Sequence, residues 1–123
     1  MMKITKTLSL TALCALAALS SPSYANQAKF NKIERELKQC LKDVRGSYGE
    51  GSCMIQAVDD YSDAMSQKKR ERLFVFGARC AVQYGAEDER EYEVFGFDNL
   101  SNADRSSAAY CKLEAARRIA KQR

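Results

Sequence analysis

Four cysteines constrain this chain more than any other feature. Cys40, Cys53, Cys80 and Cys111 are separated by 12, 26 and 30 residues. Structural zinc sites draw on close pairs such as C-x2-C. Thiol redox catalysis uses C-x-x-C with a depressed thiol pKa. Neither spacing occurs. An even count in a small exported chain reads instead as two disulfides. Spacing alone leaves all three pairings open. Each bridge contributes about 2–4 kcal/mol, a large share for a chain with a modest core.

The exported reading comes from residues 1–25, which have the layout of a secretory signal peptide. Lys3 and Lys6 form a basic start, Leu8–Leu19 a small-apolar run, and Ser20-Ser21-Pro22 a break. Ser23-Tyr24-Ala25 fits the small-x-small rule, so cleavage is expected after Ala25. The apolar run is shorter than the ~20 residues a membrane span needs. A lipidated Cys14 is disfavoured by Leu13, because such sites prefer a small residue there. The mature chain is then residues 26–123, one expected domain, periplasmic or secreted.

Removing Lys3 and Lys6 from the 20 basic residues leaves 18 against 16 acidic ones, a net charge of +2. That near balance gives no argument for nucleic-acid binding. The chain has no histidine, which excludes Ser-His-Asp and Cys-His catalysis and histidine metal ligation. No Gly-rich phosphate loop or nucleophile elbow is present. Asp59 and Asp63 share one helical face and are a carboxylate pair of the kind glycosidases use. One-turn spacing on a polar face is also the ordinary solvated pattern. No enzyme and no cofactor are expected.

Apolar spacing predicts helices throughout. Phe30, Ile33, Leu37, Cys40 or Leu41, and Val44 form one stripe on a 3.6-residue period, giving a helix over about 28–44. Arg45–Gly51, with three glycines, reads as a loop, and Ser52 as the N-cap of the next helix. Met54, Val58, Tyr61 and Met65 repeat the spacing. The charged run Gln67–Arg72 has no breaker, so residues 53–85 form either one long helix or two. In Leu73–Tyr84 one face carries Leu73, Phe76, Cys80 and Tyr84. Gly77 weakens that helix or marks a close approach. Ala86–Glu93 is acidic and reads as a loop with at most a short helix, and Phe95 and Phe97 are expected to anchor it to the core. Ser101 or Asn102 caps the last helix, about 103–121, with Ala108, Cys111, Ala115 and Ile119 inward. Arg117, Arg118, Lys121 and Arg123 complement its dipole. The sum is an all-α fold, an antiparallel bundle of three to four helices stapled by two disulfides.

The cysteine pattern resembles the lysozyme inhibitor LprI-like N-terminal domain family, small exported helical modules with four cysteines. The matching features are Cys40, then Cys53-Met54-Ile55-Gln56-Ala57 opening a helix. Tyr61-Ser62-Asp63-Ala64-Met65 follows, Cys80 closes an aromatic-rich helix, and Cys111-Lys112-Leu113 leads to Arg117 and Arg118. This sequence departs from the family in lacking tryptophan and in placing Arg79 directly before Cys80. The resemblance implies a protein-binding inhibitor of lysozyme or another cell-wall hydrolase, acting by occlusion. Glu87, Asp88, Glu89, Glu91 and Glu93 would steer a basic partner. Tyr92, Phe95 and Phe97 would supply aromatic anchors. A periplasmic immunity protein against a toxin effector fits the same features, and a structural or chaperone-like envelope role is a third reading. A homodimer through the basic end of the last helix and the acidic run is a further option.

Overall fold

The computed structural model describes residues 22–122. Residues 1–21 of the expected signal peptide lie outside them. Five helices occupy the described residues: α1 (Pro22–Asp43), α2 (Gly46–Asp63), α3 (Gln67–Gln83), α4 (Glu89–Phe95) and α5 (Asn102–Lys121). The fold is all-α, with one short helix more than the three to four expected. The expected cleavage point after Ala25 falls in the first turn of α1.

α5 is the hub. It packs against both α2 and α3, while α1 lies on α2 and α4 on α3. Its composition explains the role. Ala108, Ala109, Ala115 and Ala116 are all buried, together with Leu113 and Ile119. Small side chains on two faces let two neighbouring helices approach closely, since interaxial distance follows the side chains at the contact. The remaining stripes fall as the periodicity predicts. Ile33 and Leu37 bury from α1, Met54, Val58 and Tyr61 from α2, and Leu73 and Cys80 from α3.

Residues 53–85 form two helices. Ala64 closes α2, Met65 is buried at the corner, and the Ser66 hydroxyl accepts from the Lys69 amide to cap α3. Ser101 caps α5 by accepting from the Asp104 amide.

The segment expected as a loop, Arg45–Gly51, is mostly helical. α2 begins at Gly46, six residues before Ser52, and its N-cap Arg45 makes no side-chain cap bond. Tertiary contact overrides the weak glycine propensity here. A Cβ on Gly51 would lie 3.1 Å from the Arg105 guanidinium and 3.3 Å from the Ser106 Cα. The absent side chain therefore lets the first turns of α2 settle on α5. Arg105 fixes them by donating to the Tyr48 carbonyl and the Ser52 hydroxyl, both at 3.2 Å, with its guanidinium 4.6 Å from the Tyr48 ring centre.

Two disulfides close the frame. Cys40–Cys53 joins α1 to α2, and Cys80–Cys111 joins α3 to α5. Such bonds persist in oxidising surroundings, which places the folded chain in a periplasmic or extracellular setting. Among the described residues no helix is long and apolar enough to cross a membrane.

Candidate partner-binding site

The acidic run folds into α4 and its approach. Asp88 is the N-cap and its carboxylate accepts from the Glu91 amide at 2.9 Å. Glu91 reaches back to accept from the Glu87 amide at 3.0 Å. Acidic groups in a first turn also face the positive end of the helix dipole. Asp88 and Glu91 are thus accounted for by helix initiation. The side chains of Glu87, Glu89 and Glu93 are left in solvent, and among the described residues no ion pair engages them.

The aromatic residues separate into two groups. Tyr92 is only 5% exposed and Phe97 is buried. Their rings lie 5.3 Å apart, and Phe74 of α3 packs on Tyr92 at 5.1 Å. Both anchor α4 to the body of the protein, so neither is presented to a partner. Phe95 is not the core anchor expected. It is 49% exposed, and its neighbour Val94 is 68% exposed. A seven-residue helix has room for one fully inward aromatic, and Tyr92 occupies that place. Phe97 turns inward only after the chain has passed Gly96.

Beside α4 lies a cleft of about 210 Å³. Ile55, Val58 and Asp59 line it from α2, Tyr92 and Phe95 from α4, Phe97 and Asp98 from the connection, and Arg105 and Lys112 from α5. The Lys112 amine donates to the Tyr92 hydroxyl and lies 5.2 Å from the ring centre. Burial pushes the Lys112 pKa down, against the opposing pull of the Asp59 charge. Burial pushes Asp59 up, with Lys112 opposing. Burial, with Asp59, raises Tyr92 to about 12. Gly77 makes the arrangement possible: a Cβ there would lie 2.3 Å from the Tyr92 oxygen and 2.8 Å from the Lys112 Cε. The glycine marks a close approach, one of its two sequence readings.

A second polar cluster ties α1 to α5. Arg117 donates to both Glu34 oxygens, at 2.7 and 2.9 Å, and also pairs with Glu114. The Tyr61 hydroxyl donates to Glu34 as well. The Arg117 guanidinium holds Glu34 below the usual carboxylate range, while burial and the Glu34 bond push Tyr61 up. Arg117 therefore links two helices instead of only complementing a dipole, the part left to Arg118 and Lys121 in the last turn. Asp59 faces Lys112 at the cleft, and the neighbouring charges of Asp63 and Asp60 add to the burial that raises it.

Sequence reasoning gave no contact to Glu34 or Lys112 and read Arg117 only as a dipole complement. Only Lys112 carried a signal. It lies three residues after Ala109 and four before Ala116, a cation inside an apolar stripe.

Comparison with known proteins returns no matching family model, no matching curated protein and no matching solved structure. The resemblance to the lysozyme inhibitor LprI-like modules therefore stands on cysteine spacing and local motifs alone.

Proposed function

We propose that this chain is an exported protein-binding module that docks on a basic partner through α4. The observation that carries the reading is Val94 and Phe95, adjacent and solvent-exposed, on a seven-residue helix that also exposes Glu89 and Glu93, with Glu87 just before it and Arg90 the one cation among them. An apolar centre with a charged rim is the anatomy of a protein interface. The carboxylates would speed encounter with a cationic surface and fix its orientation. Tyr92 and Phe97 hold the helix rigidly from behind, which lowers the ordering cost of docking.

The partner class we favour is a lysozyme or another cell-wall hydrolase, whose pair of catalytic carboxylates sits in a cleft that a bound α4 would cover. That choice follows the cysteine-pattern resemblance and the oxidising setting of a disulfide-bonded protein. The test is calorimetric titration of residues 26–123 into a basic c-type lysozyme at several salt concentrations. Glu89→Lys with Glu93→Lys should weaken binding at least tenfold and flatten its salt dependence. Neither residue supplies a capping hydrogen bond, but Glu89 lies in the first turn of α4, so the circular dichroism spectrum of the double variant is compared with the parent's. Unchanged affinity and an unchanged salt slope in this double variant remove α4 as the docking surface.

A further inference from the structure

A groove of about 460 Å³ shares no residue with α4 or its cleft. Its walls come from four helices or their ends: Leu41, Glu50 and Met54, Tyr84, and Ser106, Ser107 and Tyr110. Every cysteine of the mature chain stands close to one of these walls. Cys40 precedes Leu41, Cys53 precedes Met54, Cys111 follows Tyr110, and Tyr84 lies one helical turn beyond Cys80. Cys40–Cys53 ties together α1 and α2, which carry Leu41, Glu50 and Met54, and Cys80–Cys111 ties α3, whose C-cap is Tyr84, to α5, which carries Tyr110. Covalent bracing of this kind preorganises a site and reduces the entropy lost on binding.

The lining is specific in its chemistry. It contains no cation and one carboxylate, Glu50, which among the described residues takes part in no ion pair. An anionic ligand has no partner there. Tyr110 is 55% exposed, an aromatic face left in water at the rim, and Tyr84 offers a second, half-buried ring. Two serine hydroxyls and the Glu50 carboxylate supply acceptors and donors around an apolar floor of Met54 and Leu41. Aromatic faces beside a few directed polar groups suit a ligand with apolar C–H faces and a hydroxylated edge.

We propose that this groove binds a neutral oligosaccharide of about two pyranose rings, a size suited to small-molecule sites of this volume. One ring stacks on Tyr110, and its hydroxyls bond to Glu50 and to Ser106 or Ser107.

The experiment titrates chitobiose, cellobiose and maltose separately into residues 26–123. Binding is followed by tyrosine fluorescence, which is unobscured because the chain has no tryptophan, and by amide chemical-shift changes. Saturable binding of at least one disaccharide with Kd near or below about 1 mM is expected, with shifts centred on Tyr110 and Ser106. Tyr110→Ala should weaken it at least tenfold with an unchanged circular dichroism spectrum, and Tyr110→Phe should retain it. Three results overturn the proposal: no saturation by any of the three sugars up to about 10 mM, equal affinity in Tyr110→Ala, or occupation of the groove by a phenylalanine-containing dipeptide with no response to sugars. No protein partner is present in these titrations, so their failure leaves the α4 reading standing.

Discussion

Replacing Gly77 by alanine sets two effects of opposite sign against each other. In the middle of α3, alanine is favoured over glycine by about 1 kcal/mol of helix propensity. At this position the new methyl would lie 2.3 Å from the Tyr92 oxygen, 2.8 Å from its Cζ and 2.8 Å from the Lys112 Cε. The lysine end can swing away. The tyrosine ring cannot do so cheaply, because Phe74 and Phe97 pack on it at 5.1 and 5.3 Å. Relief requires the ring to retreat roughly 1 Å to ordinary contact, and overpacking of this kind costs about 1–3 kcal/mol. Displacement also disrupts the bond from the Lys112 amine, a charge-assisted interaction worth about 1.5–3 kcal/mol. The net expectation is a loss of about 1.5–5 kcal/mol, a fall in Tm of at least roughly 6 °C for a chain of this size. Urea unfolding followed by far-ultraviolet circular dichroism reads it as a lower midpoint at unchanged slope. Gly77→Ala combined with Tyr92→Leu should lose less than the sum of the single changes, since the two sites touch. A Gly77→Ala protein as stable as the parent, or more so, would refute the packing of Tyr92 and Lys112 against α3.

Two further outcomes follow from the cross-links and the α1–α5 cluster. Non-reducing peptide mapping should find Cys40 joined to Cys53 and Cys80 to Cys111, and no other pair. Replacing both members of a pair by alanine should cost about 3 kcal/mol for the first bridge and about 3.5–4 kcal/mol for the second, which closes the longer loop, measured by denaturant unfolding. Glu34 is held below its usual pKa chiefly by the Arg117 bond. Its stabilising contribution is present above the unfolded carboxylate value and is lost as pH falls through the lower folded value. Glu34→Gln should therefore flatten the acid limb of a stability–pH curve. At neutral pH its cost should stay near 1 kcal/mol, because both partners are partly exposed and screened by solvent.

One inward stripe on each of the four long helices was legible, because 3.6-residue periodicity reports burial directly, but the further burial of Ala109, Leu113 and Ala116 on α5 was not. Ser101 as a cap and Gly77 as a close approach were legible for similar local reasons. The start of α2 was not. Three glycines within six residues are a loop signal, and only the seating of Gly51 against Arg105, far away in sequence, reverses it. At α4 the acidic run was visible but its division was not. Asp88 and Glu91 initiate the helix, whereas Glu87, Glu89 and Glu93 remain in solvent, and that distinction depends on where the first turn begins. The apolar pattern singles out Phe95 and Phe97 as core anchors and not Tyr92, whereas the helix turns Tyr92 inward and Phe95 outward. Arg117 read as a dipole complement because its partner, Glu34, lies 83 residues earlier in the chain.

The proposed docking of a protein partner on Val94 and Phe95 of α4 can be tested in one assay. The most direct measurement titrates oxidised residues 26–123 against c-type, g-type and i-type lysozymes while following lysis of peptidoglycan. A Val94→Asp/Phe95→Asp variant, altered only at exposed positions, runs beside it. Docking through these residues gives stoichiometric inhibition of one class by the parent protein and its loss in the variant, with the melting transition of the variant retained. No inhibition of any class, or equal inhibition by the folded variant, would contradict it.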